Sequence, residues 1–553
     1  MRPPRYKPER NYDDTTALAA PQSDEDRFDH GFLKNTASKK LLVLNAICAV
    51  IYFGVITFAF QHGNIVLFSL LILGEIFHLF QILGYCYTVW DNRLKATYVR
   101  AFDSPVDVFV TVCGEPVEIV RETAEAILKM RYNGTFKVHL LNDGFVAKKD
   151  NWQEIEDLAT ELGINCITRR TPGGAKAGNI NNALAQTDSP YFVVFDADHV
   201  PHENFMEEVM GYFADPMMGF VQTPQFYKNQ GVNAITRIAW QQQTLFFGPI
   251  MAGKNRLNSA FMCGTNMAIR RTAIAEAGGM CEFNIAEDFL TSLFIHQKGW
   301  KSVYIPKVLA EGLAPEDFMN YYKQQFRWTR GSLEVIFKYN PMFRRGLTMA
   351  QRWQYLISAS YYLSGAVVLV DAMLPILFLF TGMTAVVTST MTLALVFIPY
   401  IFLNLYTLQR TSNFSYSFDA IAFSLSSFYI QIKAILAVIT NQKTSFAVTS
   451  KSQVSGNFLR LVIPQILYIL IAAAAAAVGV MREGVSASLL ANFAWVLVNV
   501  AVFLPFIYAA APKRAPKPIV LPTSLTVPVG LRAIRLGELE RTAKLRRTEH
   551  VAS

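Results

Sequence analysis

The sequence predicts an α/β domain with a mostly parallel sheet, inserted between two blocks of α-helical membrane-spanning segments. Nearly uncharged apolar segments, each long enough for the roughly 20 helical residues that cross a bilayer core, occur at 41–90 and 353–511. The stretch between them, about 100 to 345, has mixed polarity and the size of one domain. The composition agrees, because 52% hydrophobic and 17% charged residues make the chain less charged than an ordinary soluble protein.

About six membrane spans are predicted, two before the central domain and four after it. They are 41–60, 65–90, 355–380, 390–408, 459–480 and 489–511. An amphipathic segment at 418–439 is predicted to form an interfacial helix. The first span is not expected to be a cleaved signal, because it follows a polar tail and is soon followed by a second span.

The distribution of Lys and Arg predicts the orientation. If the central domain is cytoplasmic, the outer loops 61–64, 381–389 and 481–488 contain one basic residue, Arg482. This positive-inside bias predicts a multi-pass protein of the plasma (inner) membrane. The N-terminal tail, 1–40, predicted to be disordered, and the basic tail, 512–553, are then cytoplasmic.

The charge and the cysteines exclude two classes of site. The net charge of +9 is explained by the positive-inside bias, so no nucleic-acid partner is expected. Six cysteines include no Cys-x-x-Cys pair, and none lies in a predicted outer loop. A disulfide framework or a zinc site is therefore not expected.

The central domain is predicted to alternate strands and helices. The predicted strands are 106–112, 136–141, 164–168 and 191–195, and the first helices are 117–130 and 152–162. This order implies a mostly parallel sheet, whose ligands bind beyond the carboxyl ends of the strands. Cys113, Asp143 and Asp196 lie at such ends, and Glu115 lies in the loop after the first strand.

Two carboxylates after the fourth strand indicate a metal site. Asp196 and Asp198 are spaced i and i+2, so they point to the same side and could share a Mg²⁺ or Mn²⁺ that bridges a nucleotide diphosphate. A plain turn is the alternative, since Asp is common in turns. His199 and His202 are interpreted as loop residues, because hard oxygen ligands suit this role better.

A glycine-rich loop at 171–179 precedes a helix predicted to begin near Ile180. Its backbone N–H groups and Lys176 could contact phosphate. The spacing is not that of a Walker A loop, so an NTPase is not indicated. A flexible surface loop with a solvated lysine is an equal alternative.

Adjacent carboxylates at a predicted helix start supply a candidate base. Transfer from a nucleotide sugar needs a group that removes the proton of the acceptor hydroxyl, and Asp288, beside Glu287, is the candidate. Helix capping by one of the two is the alternative. The segment 261–266, which contains Cys263, suits a wall beside a sugar or ordinary core packing.

Gln324, Arg327 and Trp328 fall on one face of a predicted helix. Arg327 could fork onto a pyrophosphate, and Trp328 could stack on a sugar ring. The alternative is an interfacial helix with an aromatic and basic belt. Glu75, His78 and Asp371 within the spans are expected to face a path or a helix partner, and plain helix packing is equally consistent.

Together these residues resemble the D, DxD, ED, QxxRW pattern of processive family 2 glycosyltransferases. The pattern is carried by Asp143, Asp196-Ala-Asp198, Glu287-Asp288 and Gln324-x-x-Arg327-Trp328. Finer matches resemble the bacterial cellulose synthase branch: Lys176-Ala-Gly-Asn179, Asp196–Pro201, Thr223-Pro-Gln225 and Phe261–Thr265. The segment Phe446-Ala-Val448-Thr449-Ser-Lys451 resembles the FxVTxK gating loop of those enzymes.

The resemblance implies a GT-A domain beneath a channel. It implies an inverting hexosyltransferase that polymerises glucose from UDP-glucose into a β-glucan and passes the growing polysaccharide across the bilayer, with possible accessory export subunits. Glu115, Asp143 and Lys176 would bind the nucleotide sugar, with Asp196 and Asp198 holding the metal. Asp288, with Glu287, would supply the base. Gln324 and Arg327 would hold the diphosphate, Cys263 and Trp328 the acceptor, and the loop 445–452 would cover the donor.

Departures from the cellulose synthase pattern leave the product open. Cys113-Gly114 stands where an aromatic residue usually contacts uracil, and Asn142 replaces the first Asp of Asp-Asp-Gly. The 42 residues after Ala511 are too few for a PilZ domain of about 100 residues, so control by cyclic di-GMP within this chain is not expected. Cellulose, a β-1,3-glucan and a mixed-linkage glucan remain open. The alternatives are a chitin-like or hyaluronan-like synthase and a transporter or scaffold with a degenerate transferase domain.

Overall fold

The computed structural model describes residues 37–92, 94, 96–442 and 456–512. Its strands are β1 Gln61–His62, β2 Val106–Val112, β3 Phe136–Asn142, β4 Asn165–Thr168, β5 Tyr191–Asp196, β6 Val200–Pro201, β7 Met218–Gln222, β8 Phe226–Tyr227, β9 Met267–Arg270, β10 Lys301–Tyr304, β11 Ala310–Gly312 and β12 Val386–Val387. Its helices are α1 Lys39–Gly54, α2 Ile65–Thr88, α3 Val117–Leu128, α4 Trp152–Leu162, α5 Ala175–Leu184, α6 Phe205–Val209, α7 Ala234–Leu245, α8 Met251–Lys254, α9 Arg271–Ala277, α10 Glu287–Gln297, α11 Phe318–Tyr339, α12 Met349–Ser360, α13 Ser364–Thr381, α14 Thr390–Thr411, α15 Phe418–Ser426, α16 Phe428–Ile439, α17 Ile463–Glu483 and α18 Ala487–Ala510.

A seven-stranded sheet organises the described part of the central domain. Its strand order is β10-β7-β9-β5-β2-β3-β4, and every neighbouring pair is parallel except those of β9. The predicted mostly parallel sheet is therefore confirmed. Since β5, β2 and β3 run in one direction side by side, the loops that follow them meet at one edge.

The sheet is covered on both faces, which explains the unbroken apolar run of its central strand. Residues of β2 alternate between faces: Val108 and Val110 pack with Val120 of α3, whereas Phe109 packs with Ile180 of α5. All five of these side chains are buried. A strand buried on both faces cannot show polar alternation.

The start of α5 corrects one prediction. The helix begins at Ala175 and not near Ile180, and the Gly178 N–H already donates to the Gly174 carbonyl at 2.9 Å. Gly178, part of the predicted loop, permits close packing in the helix, because a Cβ there would lie 2.3 Å from the Gly173 carbonyl oxygen. Gly174, with φ +63°, ends the loop one residue before the helix.

By length and composition alone, seven helical segments of the described chain could cross a membrane. They are 39–59, 65–88, 349–381, 390–411, 418–439, 459–483 and 487–510. Six of them contain or overlap the predicted spans. The seventh, 418–439, divides at Ser427 into α15 and α16, and α16 packs against α11 while α15 packs against α7. Its assignment as an interfacial helix therefore stays a prediction.

The three predicted outer loops lie at one end of the helices. Strand β1 pairs with β12 in antiparallel fashion, which joins the loop 61–64 to the loop 381–389. The Arg482 guanidinium donates to the Phe378 carbonyl oxygen at 3.1 Å, so the loop after α17 ends beside the same turn. Loops that share one end agree with the predicted arrangement of spans.

We predict that these loops face away from the cytoplasm. Single cysteines at Gln61, Val387 or Val485 should react with an impermeant thiol reagent added to intact cells, because the outer loops carry few basic residues. A cysteine at Gln153, which is exposed on the central domain, is the matched control and should react only after lysis. Labelling of the Gln153 variant in intact cells would contradict the orientation.

Candidate active site

A cavity of about 730 Å³ opens where β2, β3 and β5 end. It brings together residues that are far apart in the sequence, including all the predicted site residues outside the gating loop. These are Glu115, Asp143, Lys176, Asp196, Asp198, Cys263, Glu287, Asp288, Gln324, Arg327 and Trp328. The predicted gating residues Phe446, Val448, Thr449 and Lys451 lie outside the described residues.

The metal-binding candidates follow β5. Ligand atoms of Asp196, Asp198 and His199 all lie within 4.8 Å of one another. The backbone N–H of His199 donates to the Asp196 carbonyl at 3.0 Å. The segment is therefore a turn, and it also brings three potential metal ligands together. His199, interpreted from the sequence as a loop residue, thus lies with the two carboxylates, and its role as a ligand stays a hypothesis. Two carboxylates with one imidazole fit a divalent cation such as Mn²⁺ or Mg²⁺.

Neighbouring groups hold the two aspartates in place. The Thr111 hydroxyl donates to Asp196 Oδ1 at 3.1 Å, and the Leu313 N–H donates to Asp198 Oδ2 at 3.1 Å. The Lys176 ammonium pairs with the Asp196 carboxylate and donates to the Gly264 carbonyl at 2.8 Å. Lys176 thus bonds to protein groups in this structure, and its contact with phosphate stays a prediction.

The adjacent carboxylates lie in the first turn of α10. The N-cap residue is Ala286, which makes no side-chain cap. Asp288 Oδ1 accepts the Phe289 N–H at 2.7 Å. Its other oxygen, Oδ2, lies 3.2 Å from the point that a Cβ on Gly264 would occupy, so glycine at 264 leaves this oxygen accessible to the cavity.

Burial and a like charge make Asp288 basic. Burial first, and then the Glu287 carboxylate, raise the pKa of Asp288 to about 7. Burial also raises the pKa of Glu287, against the opposing charge of Lys176. A carboxylate whose pKa lies near neutrality is suited to accept a proton from a hydroxyl group.

Helix α11 presents the third part of the pattern. Asp317 caps it by accepting the Asn320 N–H at 2.9 Å, which fixes where the helix starts. Gln324, Arg327 and Trp328 are half-buried and all line the cavity, while other residues of α11 pack on α16. The helix therefore joins the cavity to the helices that follow the central domain.

Arg169 is a site residue that the sequence did not indicate. Its Nε donates to Asp143 Oδ1 at 2.8 Å, and its Nη2 donates to Asp143 Oδ2 at 2.6 Å. It also donates to the carbonyls of Gly173 and Ala175. Burial raises the pKa of Asp143, and Arg169 opposes this shift. Arg169 therefore shapes both the Asp143 site and the glycine-rich loop.

We predict that Arg169→Met lowers the free energy of unfolding by about 3–5 kcal/mol, because it leaves the buried Asp143 charge without a partner. The midpoint of urea unfolding would measure the loss. The double variant Asp143→Asn/Arg169→Met should recover much of it, since no buried charge is left unpaired. Equal stability of Arg169→Met and the parent would show that the pair contributes nothing.

Glutamines hold the backbone of Cys263. Gln222 Oε1 accepts the Cys263 N–H at 2.8 Å, and the Gln225 amide donates to the Cys263 carbonyl at 2.5 Å. Burial first, and then the Asp288 charge, raise the pKa of the Cys263 thiol well above its usual range. Burial therefore favours the neutral thiol, which lines the cavity.

Two protein families match parts of the chain. Residues 104–331 match the family described as "Glycosyltransferase like family 2", and residues 275–489 match the family described as "Cellulose synthase". The two matches overlap over residues 275–331, which include α10 and most of α11, where the Glu287-Asp288 pair and Gln324-x-x-Arg327-Trp328 lie. The chain thus contains a region that matches family 2 glycosyltransferases and an overlapping, later region that matches cellulose synthases.

The relatives are cellulose synthases. The chain is 32% identical over 395 residues to putative cellulose synthase 2 of Komagataeibacter xylinus, covering 69% of this chain and 26% of that protein. It is 30% identical over 381 residues to the cellulose synthase catalytic subunit [UDP-forming] of Pseudomonas fluorescens (strain SBW25), covering 67% of this chain and 51% of that protein. The chain is a homologue of these subunits and spans about a quarter to half of their length.

Among solved structures, the mannosyltransferase PcManGT from Pyrobaculum calidifontis in complex with GDP-Man and Mn²⁺ matches with a TM-score of 0.48 and 15% identity. The match covers 68% of this chain and 100% of that one.

Proposed function

We propose that the protein is a processive, inverting glycosyltransferase that polymerises glucose from UDP-glucose into a β-glucan and passes the polymer across the membrane. The observation that carries the proposal is the convergence of the base, the acidic metal-binding group and the Gln324–Trp328 face on one cavity. A degenerate transferase domain would have no reason to retain this arrangement.

The donor would lie across the ends of β2, β3 and β5. Glu115, Asp143 and Arg169 line the end of the cavity expected to hold the nucleoside. A divalent cation held by Asp196, Asp198 and His199 would neutralise the diphosphate leaving group. Lys176 and Arg327 are also cationic near the reacting end, because the charge of each acts on both Glu287 and Asp288.

Transfer would then need one proton acceptor. The acceptor hydroxyl oxygen forms a bond to the anomeric carbon as the bond from that carbon to the diphosphate breaks. The hydroxyl proton passes to Asp288, and UDP leaves. Attack from the face opposite the diphosphate inverts the anomeric carbon, which gives a β-linkage from an α-linked donor. Trp328 and the Cys263 wall would hold the acceptor sugar.

The pH dependence should report the state of Asp288. Because the base must be ionised, kcat/KM is expected to fall tenfold per pH unit below about 7 and to level off above it. Glu287→Gln removes one of the two causes of the raised pKa, so the acid limb of its profile should move to lower pH. A limb at the same pH in that variant would contradict the coupling.

The membrane helices would carry the product. The seven apolar helical segments and the contact of α11 with α16 support a site placed directly beneath them. The localisation in the plasma membrane, the cytoplasmic position of the catalytic domain, the gating by residues 445–452 and the accessory export subunits belong to this proposal.

The donor and the linkage can be tested directly. Membranes containing the chain are incubated with labelled UDP-glucose or UDP-GlcNAc and Mg²⁺ or Mn²⁺, and the polymer is digested with linkage-specific glucanases. We expect glucose incorporation and digestion by a β-glucanase. Asp188→Ala, at an exposed carboxylate before β5, is the control and should retain the parental rate. Incorporation of GlcNAc alone would replace the proposal by a chitin-like or hyaluronan-like synthase.

A further inference from the structure

A stripe of polar residues runs along one face of α2, inside the membrane block. Glu75, His78, Gln81, Tyr85 and Thr88 recur at helical spacing over the last four turns. Each bonds to a residue of another helix: Tyr52 of α1, Asp371 of α13, Ser360 of α12, Thr411 of α14 and Gln354 of α12. The stripe therefore lies among the helices and not on the lipid side.

The centre of the stripe is a carboxylate–imidazole cluster at mid-depth. Glu75 is ten residues from the outer end of α2, which is about 15 Å at 1.5 Å per residue, and Asp371 is ten residues from the outer end of α13. The Tyr52 hydroxyl donates to Glu75 Oε1 at 2.9 Å, and His78 Nε2 lies 3.1 Å from Asp371 Oδ2. Ionisable groups are costly at this depth unless they face water, a ligand or each other.

The Tyr52–Glu75 pair and the His78–Asp371 pair differ in solvent exposure. This difference distinguishes a contact that packs helices together from a contact that is accessible to solvent. Tyr52 and Glu75 are buried, as expected of hydrogen bonds that join helices. The side chains of His78 and Asp371 are 36% and 40% exposed. Packing between helices does not explain a half-exposed ion pair in the middle of a membrane.

This exposed surface points away from lipid. On α2, Ile76 is 50% exposed and lies roughly 160° around the helix from His78, at 100° per residue. On α13, Leu369 and Phe380 are exposed and lie roughly 160–180° from Asp371. His78 and Asp371 are thus on the faces opposite the lipid-facing ones, so their exposure opens on a space inside the helices.

Two buried side-chain oxygens on the helices around this cluster also lack a hydrogen-bond partner within the described part of the chain. Asn45 Oδ1 on α1 and Thr407 Oγ1 on α14 have no hydrogen-bond partner among the described residues. Both residues are almost fully buried, and Tyr400, two turns before Thr407, stacks on Tyr52 at 4.0 Å. Buried polar atoms are normally satisfied, so the interior around the cluster is expected to hold water or hydroxyl groups.

The inner end of this region approaches the catalytic cavity. Tyr362, between α12 and α13, interacts electrostatically with Asp288. The adjacent Tyr361 is 43% exposed, although Tyr321 and Tyr416, with which its hydroxyl interacts, are buried. Exposure next to buried neighbours again indicates an internal space at the inner end of these helices.

We propose that His78 and Asp371 form a sugar-binding station, half way across the membrane, in the passage of an uncharged glucan. The inference rests on the proposed function. The imidazole and the carboxylate offer the donors and acceptors that sugar hydroxyls need. The two carboxylates of the cluster disfavour an anionic polymer such as one that contains uronic acid, because like charges repel strongly in this medium.

The test measures water access and protection at single cysteines in the full chain, reconstituted in lipid. His78→Cys is exposed to a small cationic thiosulfonate reagent after the product has been removed with glucanase, and labelling of the α2 peptide is followed by mass spectrometry. Ile76→Cys, at nearly the same depth on the lipid face, is the control. Because the reagent needs a hydrated thiolate, His78→Cys should react at least about tenfold faster than Ile76→Cys.

The second arm adds UDP-glucose and elongates the polymer before labelling. Labelling of His78→Cys should then fall severalfold and recover after a second glucanase digestion. The inference would be overturned if His78→Cys reacted as slowly as Ile76→Cys. It would also be overturned if the labelling of His78→Cys stayed unchanged after elongation of a polymer whose length has been measured. Gln81→Cys, one turn closer to the cytoplasm, gives the same readout if His78→Cys does not fold. If the parent chain released no UDP from UDP-glucose, the result would instead count against the proposed function.

Discussion

Asp198→Ala should abolish polymer synthesis and metal-dependent UDP binding. The side chain is one of three whose ligand atoms lie within 4.8 Å of one another at the end of β5. Charge stabilisation by a bound cation is worth several kcal/mol, which corresponds to at least about 10²-fold in rate. The measurements are the initial rate of UDP release and a titration with Mn²⁺ in the presence of UDP.

The control for this variant must separate metal binding from folding. Asp198 Oδ2 also accepts the Leu313 N–H, so Asp198→Ala could loosen the segment before α11. Asp198→Asn keeps an acceptor for that bond and removes the charge, and it should be nearly as inactive as Asp198→Ala. Near-normal activity and metal dependence in either variant would remove Asp198 from the metal site.

Asp288→Asn is expected to cut turnover by at least about 10², the lower range for lost base catalysis, while leaving UDP binding nearly intact. The substitution keeps the shape and the acceptor oxygen for the Phe289 N–H, but it removes the basicity. Calorimetric titration with UDP, next to the rate of UDP release, distinguishes the two effects. Loss of UDP affinity equal to the loss of turnover would make Asp288 a binding residue.

Asp188→Ala is the reference for both active-site predictions, because its carboxylate is exposed and precedes β5 rather than following it. Parental activity in this variant, next to losses at Asp198 and Asp288, would tie the effect to the carboxyl edge of the sheet.

The predicted residues that the structure brings to one cavity share a local cause. Asp143 and Asp196 follow apolar strands, and a parallel sheet brings such strand ends to one edge. Gln324, Arg327 and Trp328 are spaced as one helical face, and the structure turns that face to the cavity. Both inferences need only the pattern within one element and the general geometry of the fold.

The parts that could not be predicted depend on contacts between distant segments. Arg169 acts through Asp143 and the glycine-rich loop, and nothing in Arg169-Arg170 distinguishes it from a surface pair. Lys254 is fully buried and donates to Gln354 and Ser358 of α12, with burial lowering its pKa to about 7. That environment depends on contacts with α12 and with the Phe261 ring, so the sequence alone gives no sign of it.

The start of α5 illustrates an ambiguity in reading glycine. Gly178 belongs to the predicted glycine-rich loop 171–179, yet it lies inside the first turn of the helix. Its lack of a Cβ permits the close approach of Gly173. The sequence alone does not distinguish a glycine required for packing from a glycine that ends a helix, because the difference depends on which segment of the chain lies beside it.

Sealed inside-out vesicles test the central claim, synthesis coupled to transfer across the membrane, most directly. UDP-glucose and the metal are supplied outside, where the catalytic domain would be exposed, and β-glucanase is added after elongation. The account predicts a polymer that resists digestion until detergent opens the vesicles, apart from the segment still at the enzyme. Polymer fully digested in intact vesicles would contradict transfer across the membrane, and no polymer from any UDP-sugar would contradict the glycosyltransferase itself.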